Sequence, residues 1–160
     1  MAILPGTVPR LAELTDRLSP AVLHSAPAPD SWSVNDVLAH LRACHDVLGG
    51  NVLRILAEDH PSWKGMSSRA WQRRTDYHDW AFEPAFEVFT RQRTELLAVV
   101  EPLSPEAWER TATVTGMVGE RYEYSAQYYA SWMADHERVH LEQLPGIIGA
   151  VVARPDAAGP

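Results

Sequence analysis

The chain has 160 residues, 46% hydrophobic and 22% charged, a composition that supports one globular domain with a proper core. Its 14 Lys and Arg against 21 Asp and Glu leave a net charge of −7, which argues against a nucleic-acid partner, because such a partner wants a basic face. Cys44 is the one cysteine and excludes an internal disulfide; with no basic segment followed by an apolar run at the start, and no apolar run near the ~18 residues of a membrane span, a soluble cytoplasmic protein without a membrane partner is expected.

Helical periodicity dominates, and no convincing alternating strand stands out. Leu11, Leu14 and Leu18 are spaced for a short first helix, with Pro9 in its first turn and Pro20 as its stop. A Pro-rich connector with Pro27 and Pro29 follows. Ser33 and Asp36 form an S-x-x-D start signal resembling a capping box. Val34, Val37, Leu38, Leu41, Leu48, Val52, Ile55 and Leu56 then continue at helical spacing to about Asp59, before Pro61. That second helix would be about 38 Å long. Residues 61 to 82 are polar, aromatic-rich and poorly periodic, a connector long enough to travel back along a whole helix. A third helix starts near Pro84, carries Phe86, Phe89, Leu96, Leu97 and Val100, and ends at Glu101-Pro102. Ser104-Pro105 opens one short turn holding Trp108, and a Thr/Gly loop runs from Thr111 to Gly119. The fourth helix extends from about Arg121 to Leu144 and stops at Pro145-Gly146. The fold expected is all-α, a four-helix bundle, whose core is a common place for metal sites built from facing helices.

Within the fourth helix, His136-Glu137-Arg138-Val139-His140 spells H-E-x-x-H. Histidines four apart share one helical face and can grip one transition-metal ion. The zincin proteases take a third ligand downstream, and this chain does not supply it. Gln143 stands where the extended motif has Gly, and Gly146 where it has His. Asp156 is the single carboxylate after Glu142. His24, His60 and His78 lie in connectors or at a helix end. His40 lies on the apolar side of the second helix, in Val37-Leu38-Ala39-His40-Leu41, and a polar ring there needs a partner. His40 facing His136 and His140 would complete a three-histidine site across two helices. His45 lies about 140° around the helix from His40, too far to share one ion with it easily. The competing explanation is a metal-free bundle in which these rings pack and hydrogen-bond.

Glu137 is of the residue type that serves as general base in zinc hydrolases, and it is the candidate catalytic residue, although a helical wheel sets it about 100° from His136. Asp36, one turn before His40, could orient that ring, with helix capping as its commoner use. Cys44, one turn after His40, is within reach of the same ion; small buried thiols more often pack as apolar residues. Trp63, Trp71, Tyr77 and Trp80 either cover the metal as a lid or anchor the crossover, the second being the commoner arrangement. Tyr129, seven residues before His136, shares roughly its face and is a candidate cavity wall.

Trp32-Ser33-Val34-Asn35-Asp36-Val37-Leu38-Ala39-His40-Leu41 resembles the W-S-x-x-D/E-x-L-x-H-L start of the second helix in the DinB-like (DinB/YfiT) metalloenzyme family. Asp135 to Leu144 resembles that family's fourth-helix motif H-x-x-x-H-x-x-Q-I/L, and Leu103 to Trp108 with the loop after it also fits. The resemblance spans about Leu11 to Leu144. It implies up-down-down-up connectivity, which the long crossover between helices 2 and 3 suits. Residues 1–153 are expected as one domain, and 154–160, ending in Ala, Gly and Pro, as a loose tail. The resemblance also implies a divalent metal, zinc or nickel, on His40, His136 and His140, and a homodimer. Some relatives use a low-molecular-weight thiol in S-transfer or isomerisation. The function expected is activation of water or a thiol for hydrolysis or transfer on a small-molecule substrate. The alternative is a non-catalytic metal- or ligand-binding module associated with stress.

Overall fold

The computed structural model describes residues 3–154, so the expected tail lies, from residue 155 on, outside the described residues. The chain is mostly helical. Helix α1 (Ile3–Thr15) buries Leu4, Thr7 and Leu11, a stripe at three- and four-residue spacing that packs on the last helix. It begins before the expected start, and Pro9 sits inside it. A proline there removes one helical hydrogen bond, a loss the buried stripe outweighs. Pro20 also does more than stop a helix. With Ser19 as cap, it opens the short α2 (Pro20–His24).

Helix α3 (Val34–Cys44) starts in the expected capping box. The Ser33 amide donates to Asp36 Oδ2 at 2.9 Å, and the Asp36 amide donates to Ser33 Oγ at 3.1 Å. The rod then widens into a π-helical turn (His45–Gly49) and continues as α4 (Gly50–Ala57). At the turn the Gly50 amide reaches back to the His45 carbonyl, five residues away.

The crossover is not structureless. It holds strand β1 (Ser62–Lys64), α5 (Ser68–Gln72) and a 3-10 turn (Tyr77–Asp79). Asp46 fastens it to the rod. Trp71 Nε1 and Tyr77 Oη donate to Asp46 Oδ2 at 2.9 and 2.6 Å, and Gln92 Nε2 donates to Oδ1 at 3.1 Å. The Arg42 guanidinium lies 3.9 Å from the centre of the Tyr77 ring and 4.4 Å from that of Trp80. These aromatics are anchors.

Helix α6 (Phe82–Val100) is followed by the expected short turn, α7 (Pro105–Trp108), capped by Ser104. The all-α expectation then needs correcting. Thr111–Thr115 forms strand β2 and Arg121–Ser125 forms β3, in a sheet ordered β1-β2-β3. β1 pairs with β2 in parallel, Trp63 opposite Val114; β2 pairs with β3 antiparallel, Val114 opposite Tyr122. Thr111, Thr113, Val114 and Thr115 on β2 are β-branched and favour extended backbone. The hairpin turns at Gly119, whose φ of 94° suits a residue without Cβ. Ser125 Oγ then accepts the Tyr128 amide at 3.1 Å and caps α8 (Ala126–Val152). The last helix therefore begins after the expected Arg121 and runs through Pro145 instead of stopping there.

The α3–α4 rod, α1, α6 and α8 pack against one another around two apolar clusters. One is centred on Leu48, Leu96 and Met133 beside the sheet, the other on Leu11, Leu38, Phe89 and Leu144. No helix among the described residues is long and apolar enough to cross a membrane.

Candidate metal centre

Helices α3 and α8 bring three imidazoles together. His136 Nε2 lies 2.9 Å from His40 Nε2 and 3.1 Å from His140 Nε2. The outer edges of two rings are held. His40 Nδ1 is 3.0 Å from Gln72 Oε1, and His140 Nδ1 is 3.1 Å from Gln143 Oε1. An amide oxygen only accepts, so each Nδ1 carries the proton and each Nε2 keeps a lone pair turned inward. His136 can offer at most one proton to those two lone pairs. The Cys44 thiol, 3.5 Å from His40 Nε2, can donate to one of those lone pairs and His136 to the other, whereas a cation placed among the three nitrogens would engage all of them at once. The donor set fits a divalent transition metal, with amide acceptors behind two ligands of the kind that orient metal-bound histidines.

Burial depresses the basicity of all three rings. His140 is pulled down to about 4, by burial first and then by the neighbouring His136 and His40. His40 and His136 move in the same direction, again chiefly through burial. The rings are therefore neutral near pH 7, the form that ligates. Trp32 stacks on His140 with ring centres 5.7 Å apart and leans on His40 at 4.9 Å, covering one side.

Cys44 adjoins the cluster, with Sγ 3.5 Å from His40 Nε2. The donor atoms of His40, Cys44 and His136 all lie within 4.8 Å of one another, a group that could hold a metal ion. Burial pushes this thiol up to about 12, so it is protonated when no cation is beside it. The two groupings, with Cys44 or with His140, share His40 and His136. They differ in access: all three imidazoles line a cavity of about 350 Å³, whereas Cys44 does not. Leu48, Met66, Trp132 and Val139 give that cavity apolar walls, and Arg69 and Ser68 add polar groups.

Several expected participants are elsewhere. Glu137 is fully buried, and its carboxylate forms a two-pronged ion pair with Arg93. Thr7 Oγ1 donates to Glu137 Oε2 at 2.6 Å, and Arg93 Nη1 also donates to the Leu4 carbonyl at 3.2 Å. Both carboxylate oxygens are engaged by α1 and α6, so the carboxylate expected to act in acid–base chemistry is tied to Arg93 and Thr7 inside the bundle. The wheel angle from His136 turns Glu137 into the bundle, away from the cluster. Asp36 accepts from its cap and sits 3.0 Å from His78 Nδ1; Gln72 takes the place at His40 that Asp36 could have had. Tyr129 is buried against Trp63 and Tyr124 in the core, and Trp132 takes the cavity position instead. His45 faces Phe89 and stays out of the cluster. Gln72 and Arg69 sit in the non-periodic crossover, where no sequence signal marks them. Gln143 does carry a signal, three residues after His140.

The family model of the DinB superfamily matches residues 6–144. Among solved structures, YfiT from Bacillus subtilis is similar, with a TM-score of 0.69 and 16% identity over 92% of this chain and 85% of that one. That protein is described as a probable metal-dependent hydrolase with an unusual four-helix bundle topology. No curated protein is significantly similar to the chain.

Proposed function

The chain belongs to the DinB superfamily, and on that premise we propose that it is a divalent-metal-dependent enzyme acting on a small molecule, with His40, His136 and His140 holding the ion. The convergence of three Nε2 atoms at the wall of an open cavity carries this reading. A zinc or nickel ion on three neutral ligands would lower the pKa of bound water, or of a low-molecular-weight thiol, enough to supply a nucleophile near neutral pH. The residues of the chain do the rest. Gln72 and Gln143 fix which nitrogen of His40 and His140 is free, and Trp32 keeps water off one side. The cavity walls hold the apolar part of the substrate, and hydrolysis or group transfer takes place at their histidine end. The proposal includes up-down-down-up connectivity and a homodimer. The neighbour's described activity is consistent with it.

A second reading, a metal-binding module without turnover, is favoured by Cys44, whose sulfur could close the coordination from the core side. An assay separates the two. Zinc- and nickel-loaded protein is offered a panel of esters, amides and electrophiles, with and without added thiols. Conversion by loaded wild type that disappears after chelation and in His136→Ala is the expected result. No conversion across the panel by protein that holds its metal would decide for the module.

A further inference from the structure

Arg69 is a cation at the cavity with no counter-ion among the described residues. It belongs to α5, and its side chain lines both the 350 Å³ cavity of the imidazoles and a second cavity, of about 540 Å³, that shares His140 with the first. No ion pair to Arg69 occurs among the described residues. Asp30 lines the second cavity without pairing with it. The contact Arg69 does make is with the Trp32 ring, 5.5 Å from its centre.

The turn that carries it is held in place by its neighbours on α5. Gln72 is tied to His40, and Trp71 to Asp46, so the turn that carries Arg69 is fastened to the same rod as the first imidazole. The first cavity contains no carboxylate to neutralise it, and Glu137, the nearby buried acid, is committed to Arg93. A protein with net charge −7 therefore places an unpaired guanidinium beside three neutral imidazoles. Guanidinium matches a carboxylate with two parallel hydrogen bonds, and Arg69 is exposed, so its fork is open to an incoming anion.

We propose that Arg69 determines specificity by receiving the carboxylate of a small-molecule substrate whose apolar body lies against Leu48, Met66, Trp132 and Val139. The proposal rests on the functional reading above for calling the ligand a substrate. The anion subsite itself needs no metal.

The test uses isothermal calorimetry on the full chain with two probes of equal shape, 3-phenylpropionate and 3-phenylpropionamide. Wild type, Arg69→Gln and Arg69→Lys are each titrated after zinc loading and after chelation, with circular dichroism to confirm folding. Wild type should bind the carboxylate at least about tenfold more tightly than the amide in both forms, a difference of about 1.4 kcal/mol. The preference should fall below about threefold in Arg69→Gln and survive in part in Arg69→Lys. A preference unchanged in Arg69→Gln, or a wild type that binds neither probe, overturns the subsite. A preference that needs zinc and ignores Arg69 means the carboxylate goes to the metal; the subsite then fails while the metal reading stands. Protein that retains no zinc but keeps an Arg69-dependent preference supports the subsite and rejects the metal reading.

Discussion

Glu137 and Arg93 are 0% and 2% exposed, and each is the other's charge partner in the middle of the bundle. Removing one member of such a pair strands the other, which costs about 3–5 kcal/mol, far more than a surface pair is worth. Glu137→Gln keeps the shape and removes the charge. Its urea unfolding midpoint should drop by an amount corresponding to a few kcal/mol, while the metal content of the folded protein stays as in wild type. A stable Glu137→Gln protein that holds metal and has lost its activity would restore Glu137 to the chemistry. At this scale the sequence is a good guide to which imidazoles come together and a poor one to what holds their outer edges. His136 and His140 are recognisable because four-residue spacing on a helix forces two rings onto one face, and His40 because a polar ring on an apolar stripe needs a partner. The adjacent letter Glu137 misleads, since the same helical geometry that pairs the histidines turns it toward Arg93. Gln72 is invisible beforehand, because a loop residue's position depends on where the chain returns.

Among elements, the crossover shows most clearly how a segment without periodicity becomes ordered. Asp46 gathers the Trp71 indole, the Tyr77 hydroxyl and the Gln92 amide, and the aromatics of the segment then close over Arg42. Asp46→Ala removes the acceptor for three donors, leaving part-buried groups unsatisfied at roughly 1–3 kcal/mol each. Amide exchange across residues 61–82 should speed up in this variant more than exchange in α6. Uniform protection in both segments would show that Asp46 is not the fastener. Long periodic segments were readable as helices because each has one buried face. Strands β2 and β3 were not, since a five-residue strand offers too few alternations, and Tyr122 and Tyr124 blend into the aromatic positions of α8. Helix α1 starts ahead of Pro9 and α8 continues past Pro145 for one reason. Pro9 and Pro145 look like boundaries, but side-chain burial on both flanks of each proline carries the helix across it.

For the molecule as a whole, buried neutral histidines make acid the natural destabiliser. His45 is pulled down to about 4 by burial and by the charge of Arg93, and His140 to about 4 by burial and its neighbouring rings. Their folded pKa values lie below the ordinary 6.5, so between pH 6.5 and 4 the unfolded chain takes up protons that the folded one refuses. The stability these rings contribute is complete above pH 6.5 and is lost as pH falls toward 4. Metal-free protein should therefore unfold at a lower urea concentration at pH 5 than at pH 7, and His45→Leu should lose less over that interval than wild type. An equal loss in both proteins would remove His45 from this account.

The central claim is that imidazoles on α3 and α8 converge to bind one ion, and equilibrium dialysis against zinc and nickel reads this directly. Chelator-treated wild type should take up one ion per chain, and folded His40→Ala should take up little or none under the same conditions. Stoichiometric binding that survives the loss of His40, or a wild type that binds no ion, would contradict it.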